Sequence, residues 1–369
     1  MRVVVTGQVG LDKGAFLRRV VDIAAAEGHG AALCNVGEMM YKEAPDVAPG
    51  RILDLPLTRL QSLRRSVFKD ILAAAATCPH VLVNTHATFR WRHGLFYAFD
   101  YDQMKALDAD LYVTVVDNID RVHYRLRRDW HADHTLKDLM VWREEEVLAT
   151  ELLAQIVRGH GRFAICARGE DGEAASALAR MLLHPDHKKA YLSFPMSHVG
   201  ESARLQAEIL AFRREMKRHF ICFDPGDVEE KHLCQLALEA AEQGRRSLTW
   251  GPPGRQAVMD TNQLLEIIPD IDGQIYARDF KLIDQAEMIV SLVPELDDGR
   301  PGISSGVERE LQHAHEATKD VFVVWRPKVP PSPFIPETAT KVFRSVQEAV
   351  GFFLESGHAA RPHGGALFA

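Results

Sequence analysis

The 369-residue chain has no apolar run near the roughly 18–20 residues a membrane-spanning helix needs, so a membrane protein is not expected. Cysteine is scarce. Cys34, Cys78, Cys166, Cys222 and Cys234 are scattered, and none are spaced C-x-x-C, which argues against zinc-ribbon and dithiol redox chemistry. Mostly apolar neighbours fit reduced core thiols and a cytoplasmic location. Basic residues are not in excess: the net charge of -7 argues against nucleic-acid binding as the main role. A local basic loop can still hold a small anion. No charged leader with a cleavage site precedes the first apolar run, so no signal peptide is expected. No internal repeat is evident.

What is present is an alternation. Short β-branched runs at 2–7, 80–86, 111–117 and 162–167 are separated by helical patterns at 16–28 and 135–159. This predicts a parallel sheet covered by helices. A polar stretch, HPDHKK (184–189), then interrupts the pattern, and strands restart at 190–195, 219–224, 287–293 and 321–325. The chain therefore reads as α/β, with two three-layer α/β/α domains at 1–187 and 188–369, both with mostly parallel sheets. The connection 247–273 is long, and is expected to form a lid carrying Trp250 or Arg255 over a base, or an inter-subunit contact.

The first strand runs into GQVGLDKG (7–14). A phosphate loop works by pointing successive backbone N–H groups at an anion, aided by glycines, a lysine and a magnesium-binding hydroxyl. Gly7, Gly10 and Lys13 fit that pattern. Asp12 replaces the second glycine and is expected to repel phosphate, and Gly14 replaces the hydroxyl. A plain strand-to-helix turn with an incidental lysine is the competing reading.

Further along come NTHATFRWRHGL (84–95), DNIDRVHYRLRRDW (117–130) and a helix start at 134–146. This order resembles the archaeal-type adenylate kinases and related small P-loop nucleotide kinases, over about residues 1–185. The resemblance implies that Lys13, His86, Arg125, Arg127 and Arg128 face nucleotide phosphates. An ordinary solvated helix face is the alternative for the arginines. Asn84 stands where such kinases usually carry an acid, so both metal handles are missing. Binding is expected to survive better than phosphoryl transfer.

In the second half, YARDFKLIDQAEMIVSLVPELDDGRPGISSGVERELQHA (276–314) carries the stronger constellation. Asp279 is expected at a helix start, and Glu310 in the first turn of the helix after Ser304, Ser305 and Gly306. The two carboxylates are expected at adjacent strand ends, facing each other at a crevice of the sheet. A helix cap for Asp279 and a dipole-favoured surface acid for Glu310 are the competing readings. Glycosidic cleavage needs two carboxyl groups with separated roles.

YLSFPMS (191–197), RDFKLIDQAE (278–287) and SSGVERELQHA (304–314) together resemble the nucleoside 2-deoxyribosyltransferase superfamily, including the 2'-deoxynucleoside 5'-phosphate N-hydrolases. The resemblance covers about 188–330 and implies a flavodoxin-like, deoxyribosyltransferase-like domain. It implies Glu310 as nucleophile, Asp279 as the group assisting the leaving base, Tyr191 as the residue positioning Glu310, and Ser304 as a phosphate ligand. Ser305, Gly306, Ser197 and His198 would line the substrate. Phe194-Pro195 replaces the family's glycine, and Ser197 and His198 stand where the hydrolases carry a basic residue.

These features point to an enzyme that cleaves or exchanges the N-glycosidic bond of a (deoxy)nucleotide, fed or gated by an N-terminal nucleotide-binding domain. Alternatives are a nucleotide-gated NAD glycohydrolase acting in defence, an active nucleoside monophosphate kinase, and a non-catalytic regulator. Glycosidic cleavage needs no cofactor, and ATP with Mg2+ is the candidate pair for the first domain. No metal ligand set is assigned. The expected partners are small-molecule nucleotides, without nucleic acid or membrane. A homo-oligomer is expected by analogy with the superfamily.

Overall fold

The computed structural model describes residues 1–91, 94–130, 134–169, 173–196 and 202–359. It divides into two compact units: Met1–Leu183 with Asp227–Ile275, and His184–Gly226 with Tyr276–Ala369. The chain first leaves the first unit at Leu183, beside the expected linker, and residues 227–275 are grouped with that unit again.

The first unit is built on five parallel strands: β1 (Arg2–Thr6), β2 (Ala31–Asn35), β3 (His80–Asn84), β4 (Leu111–Val116) and β5 (Phe163–Ala167). They lie in the order β2-β3-β1-β4-β5. The chain moves one way from β1 to β2 and the other way through β3, β4 and β5. Right-handed crossovers therefore put helices on both faces. Helices Leu57–Thr77, Tyr101–Leu107 and Leu136–Arg158 share a core with one face. Helix Lys13–Ala26 packs with Glu173–Leu183. Covered on both sides, β1 needs no polar alternation, and Val3, Val4 and Val5 are fully buried.

Residues 227–275 add a helix (Lys231–Glu242), a hairpin (Ser247–Trp250 with Ala257–Asp260) and most of helix Thr261–Gln285. A buried ion pair ties this segment in. Arg143 donates to both oxygens of Glu230 at 2.9 and 3.1 Å, and its Nε donates to Gln274 at 2.7 Å. The Ile119 amide also donates to Glu230, at 2.8 Å.

The second unit has strands β6 (Lys189–Ser193), β7 (Ile221–Phe223), β8 (Met288–Val293), β9 (Asp320–Trp325) and β10 (Lys341–Phe343). All are parallel, in the order β10-β9-β8-β6-β7. Counted within the unit this is the flavodoxin-like order 2-1-3-4-5. The chain leaves β6 and β8 in opposite directions, so a crevice opens at their carboxyl ends, the usual ligand position in such sheets. Helices Ala203–His219 and Val346–Glu355 share a core with the β6–β10 sheet.

Candidate functional site

In the first unit the loop after β1 turns on three residues with positive φ, Gly7, Gly10 and Asp12. Gly7 has φ +130°, and a Cβ there would lie 2.5 Å from the Val115 carbonyl oxygen, so only glycine fits. Asp12, at the position of the missing glycine, adopts the left-handed conformation (φ +52°) that aspartate tolerates better than most residues. Its carboxylate lies 3.4 Å from the Arg168 guanidinium, so the charge expected to repel phosphate faces a cation.

Lys13 opens helix Lys13–Ala26 and is buried. Its ammonium donates to the Gly7 carbonyl and lies 3.4 Å from His86 Nδ1. Burial pushes its pKa down to about 8, against the opposing pull of Glu146. Burial and the Lys13 charge likewise hold His86 below its ordinary value, which favours a neutral imidazole.

Glu146, which sequence reasoning did not single out, anchors the loop. It is fully buried and accepts from the amides of Gly7 (3.0 Å), Ala87 (3.0 Å) and Thr88 (3.1 Å). Burial alone would raise its pKa. The His86 contact, the Lys13 charge and the Ala87 amide outweigh that and keep it ionised. The available signal was weak: Trp142, Glu146 and Thr150 recur every four residues on the buried side of one helix, but Glu146 ends the acidic run 144–146.

A cavity of about 650 Å³ opens over the loop, lined among others by Gly10, Lys13, Arg64, His86, Phe89 and Arg125. That volume suits a small-molecule ligand. Arg125 bridges the Asp117 carboxylate (2.6 Å) and the Gly10 carbonyl (3.1 Å). Arg64 is buried, lies 5.8 Å from the Phe89 ring centre, and its Nε has no hydrogen-bond partner among the described residues. Burial lowers its pKa to about 10. The other two arginines lie elsewhere. Arg127 lines a separate cavity of about 270 Å³, and Arg128 pairs with Asp129 and stacks over Tyr124.

The loop does not fit a magnesium ion in the usual way. Gly14 offers no side-chain oxygen, and the Asn84 amide donates to Asn35 at 2.8 Å where an acid would sit. Among the described residues no group of three His, Cys, Asp or Glu side chains is arranged to hold a metal.

In the second unit, Glu310 is held from two directions. Tyr191 donates to Oε1 at 2.9 Å, and Ser193 donates to Oε2 at 2.6 Å. Both donors come from β6, two residues apart and hence on one face of the sheet. Ser291 of β8 stands behind Ser193 at 3.4 Å. Burial, with the Asp279 charge, pushes the Glu310 carboxyl up to about 7, against the lowering pull of Ser193 and Tyr191. Burial and the two carboxylates hold the Tyr191 phenol well above its ordinary value, so it remains a donor.

Two expectations need correction. Asp279 is not at a helix start: it lies near the end of helix Thr261–Gln285, so it is neither a cap nor a strand-end residue. The weak helix formers Pro269 and Gly273 hid the continuity of that helix. Glu310 is the sixth residue of helix Ser305–Glu316, past its first turn. Burial raises the Asp279 carboxyl, with Arg278, 3.4 Å away, pulling it down. Its Oδ1 has no hydrogen-bond partner among the described residues. Ser304 caps helix Ser305–Glu316, accepting from the Val307 amide at 3.2 Å, which leaves its own proton to donate. Ser305 and Gly306 are exposed at the helix start. Ser197 and His198 lie outside the described residues. The connection 247–273 forms the hairpin and helix already described, and the Tyr124 hydroxyl donates to the Gly254 carbonyl at 3.1 Å.

Comparison with known proteins bears on the first unit. Over 188 residues the chain is 25% identical to the adenylate kinase of Pyrococcus furiosus, spanning 49% of this chain and 94% of that protein. The adenylate kinase of Pyrococcus abyssi matches at 25% identity over the same length. Among solved structures, a gluconokinase from Sinorhizobium meliloti matches 50% of this chain and 97% of its own, at 16% identity and TM-score 0.30. A shikimate kinase from Bacteroides thetaiotaomicron matches 50% of this chain and 98% of its own, at 14% identity and TM-score 0.35. No protein-family model matches the chain. The N-terminal half is thus adenylate kinase-like. No helix among the described residues is long and apolar enough to cross a membrane.

Ser193 was also missed. A serine in each of two neighbouring buried strands, Ser193 opposite Ser291, was the available signal.

Proposed function

We propose that the second unit cleaves or exchanges the N-glycosidic bond of a nucleotide, with Glu310 as nucleophile. The observation that carries this reading is the carboxylate of Glu310 gripped on both oxygens by Tyr191 and Ser193, with a second carboxyl, Asp279, whose pKa burial raises. Ionised Glu310 attacks the anomeric carbon as the C1'–N bond breaks, forming a sugar ester. Asp279, whose pKa burial raises, acts as the acid that gives a proton to the departing base. It then takes one from water, or from an incoming base, as the ester is broken. Ser304 and the exposed amides at the start of helix Ser305–Glu316 suit a 5'-phosphate.

The first unit, on this reading, binds a nucleotide by its phosphates. Lys13, Arg64 and Arg125 supply positive charge along one cavity, and Met40, Ile52 and Phe89 supply apolar lining for a base. A second reading, phosphoryl transfer by this unit, is favoured by the buried Lys13 and by the similarity to adenylate kinases.

The test is chromatographic. The protein is incubated separately with deoxy- and ribonucleoside mono- and triphosphates and with NAD, and free base is sought beside Glu310→Gln. Release from one class, lost in the variant, supports the glycosidic reading. In a further incubation with ATP and AMP together, their conversion to ADP without free base would favour the kinase reading instead.

A further inference from the structure

We infer that the phosphate site of the first unit takes its nucleotide without a divalent cation held by the protein, neutralising the phosphates with its own side-chain cations. The inference rests on the nucleotide reading of that cavity.

Magnesium binds through a near-octahedral set of oxygens, usually with one or two carboxylates beside the substrate phosphates. This cavity withholds them. A Cβ on Gly14 would meet only the Arg18 guanidinium, at 3.5 Å or more, so packing leaves room for the missing hydroxyl. Each carboxylate lining the cavity already faces a cation: Asp12 faces Arg168 at 3.4 Å, Glu38 faces Arg18 at 3.9 Å, and Asp129 faces Arg128 at 2.5 Å. Among lining side chains the neutral oxygens of Gln8, Asn35, Tyr41, Asn84 and Thr85 remain, and these are weak ligands for a hard dication.

The cations are placed the opposite way. Lys13 donates to an uncharged carbonyl, and the buried Nε of Arg64 has no hydrogen-bond partner among the described residues. Arg125 divides its hydrogen bonds between Asp117 and the Gly10 carbonyl. A dication entering this cavity meets like charge, whereas a metal-free triphosphate meets Lys13 and Arg64, neither of them hydrogen-bonded to a carboxylate among the described residues, with Arg125 shared with Asp117.

Calorimetric titration of the full chain with ATP, in EDTA and then in excess Mg2+, tests this. The expected result is an affinity in EDTA equal to or tighter than that in magnesium. Arg64→Met should weaken the EDTA affinity about tenfold or more, the usual loss for a hydrogen bond to a charged group. Gly14→Ser, which the backbone accommodates, should tighten binding in magnesium alone. A tenfold or greater loss of wild-type affinity on chelation overturns the inference. Absence of binding in both buffers removes the nucleotide reading of the cavity itself, a distinguishable failure.

Discussion

Tyr191 and Glu310 lie on different elements of the second unit, a strand and a helix, yet the phenol donates to the carboxylate at 2.9 Å. The phenol stabilises the anion that burial opposes. Base release should therefore rise with pH through about 7, as Glu310 ionises. Tyr191→Phe removes a donor to the anion. It should lower kcat about tenfold to a hundredfold and move this limb to higher pH. A pH–rate profile of both proteins checks the direction.

Glu310 also makes a stability prediction. Its carboxyl titrates near 4.5 ordinarily and near 7 in the folded chain. The folded state thus binds the extra proton in that window, and its contribution to stability is lost as pH rises from about 4.5 to about 7. Glu310→Gln should be more stable than the wild type at pH 8, by about 1–3 kcal/mol, while losing activity. Thermal denaturation at acid and alkaline pH reads this directly.

Asp279→Asn keeps the shape and removes the proton. The loss of rate should be about 100-fold or more, and smaller for substrates whose base departs without protonation. Steady-state kinetics on a good and a poor leaving group would show the split. Equal losses on both would assign Asp279 a merely structural role.

Lys13 carries its charge in a buried place, with a pKa near 8. The folded state binds fewer protons than the unfolded chain between about 8 and the ordinary 10.5, so stability rises with pH across that window. Lys13→Met should raise Tm at pH 7 and weaken ATP binding about tenfold to a hundredfold. Wild-type affinity should fall as pH passes 8. Calorimetry at pH 7 and pH 9 tests both.

Glu230 belongs by sequence to the second half, but it pairs with Arg143 of the first unit. Glu230→Gln leaves a buried guanidinium uncompensated and should cost about 3 kcal/mol. Urea denaturation followed by tryptophan fluorescence would register the loss.

Most of this architecture was legible in the chain. Runs such as RVVVT and MIVSLV are rich in β-branched residues and covered on both faces, so strand type and parallel sheets followed from composition and spacing. Strand Ala31–Asn35 was not legible, because AALCN has no β-branched residue. Nor was the return of 227–275 to the first unit. That depends on Arg143, Glu230 and Gln274 meeting over long sequence separations, which no local pattern encodes. At the candidate sites, Lys13, His86, Tyr191 and Glu310 were singled out from motifs, and the structure places Lys13 beside His86 and Tyr191 against Glu310. Glu146, Arg64 and Ser193 escaped because each acts by being buried, and a polar residue in isolation reads as exposed.

The most direct measurement of the central claim follows Glu310 itself. With the substrate identified by base release, the reaction is stopped by rapid acid quench, the protein digested, and the peptide containing Glu310 weighed. The account predicts an added mass equal to the substrate's sugar moiety on Glu310, absent in Glu310→Gln. A burst of free base equal to the amount of protein, with that peptide unmodified, would contradict it.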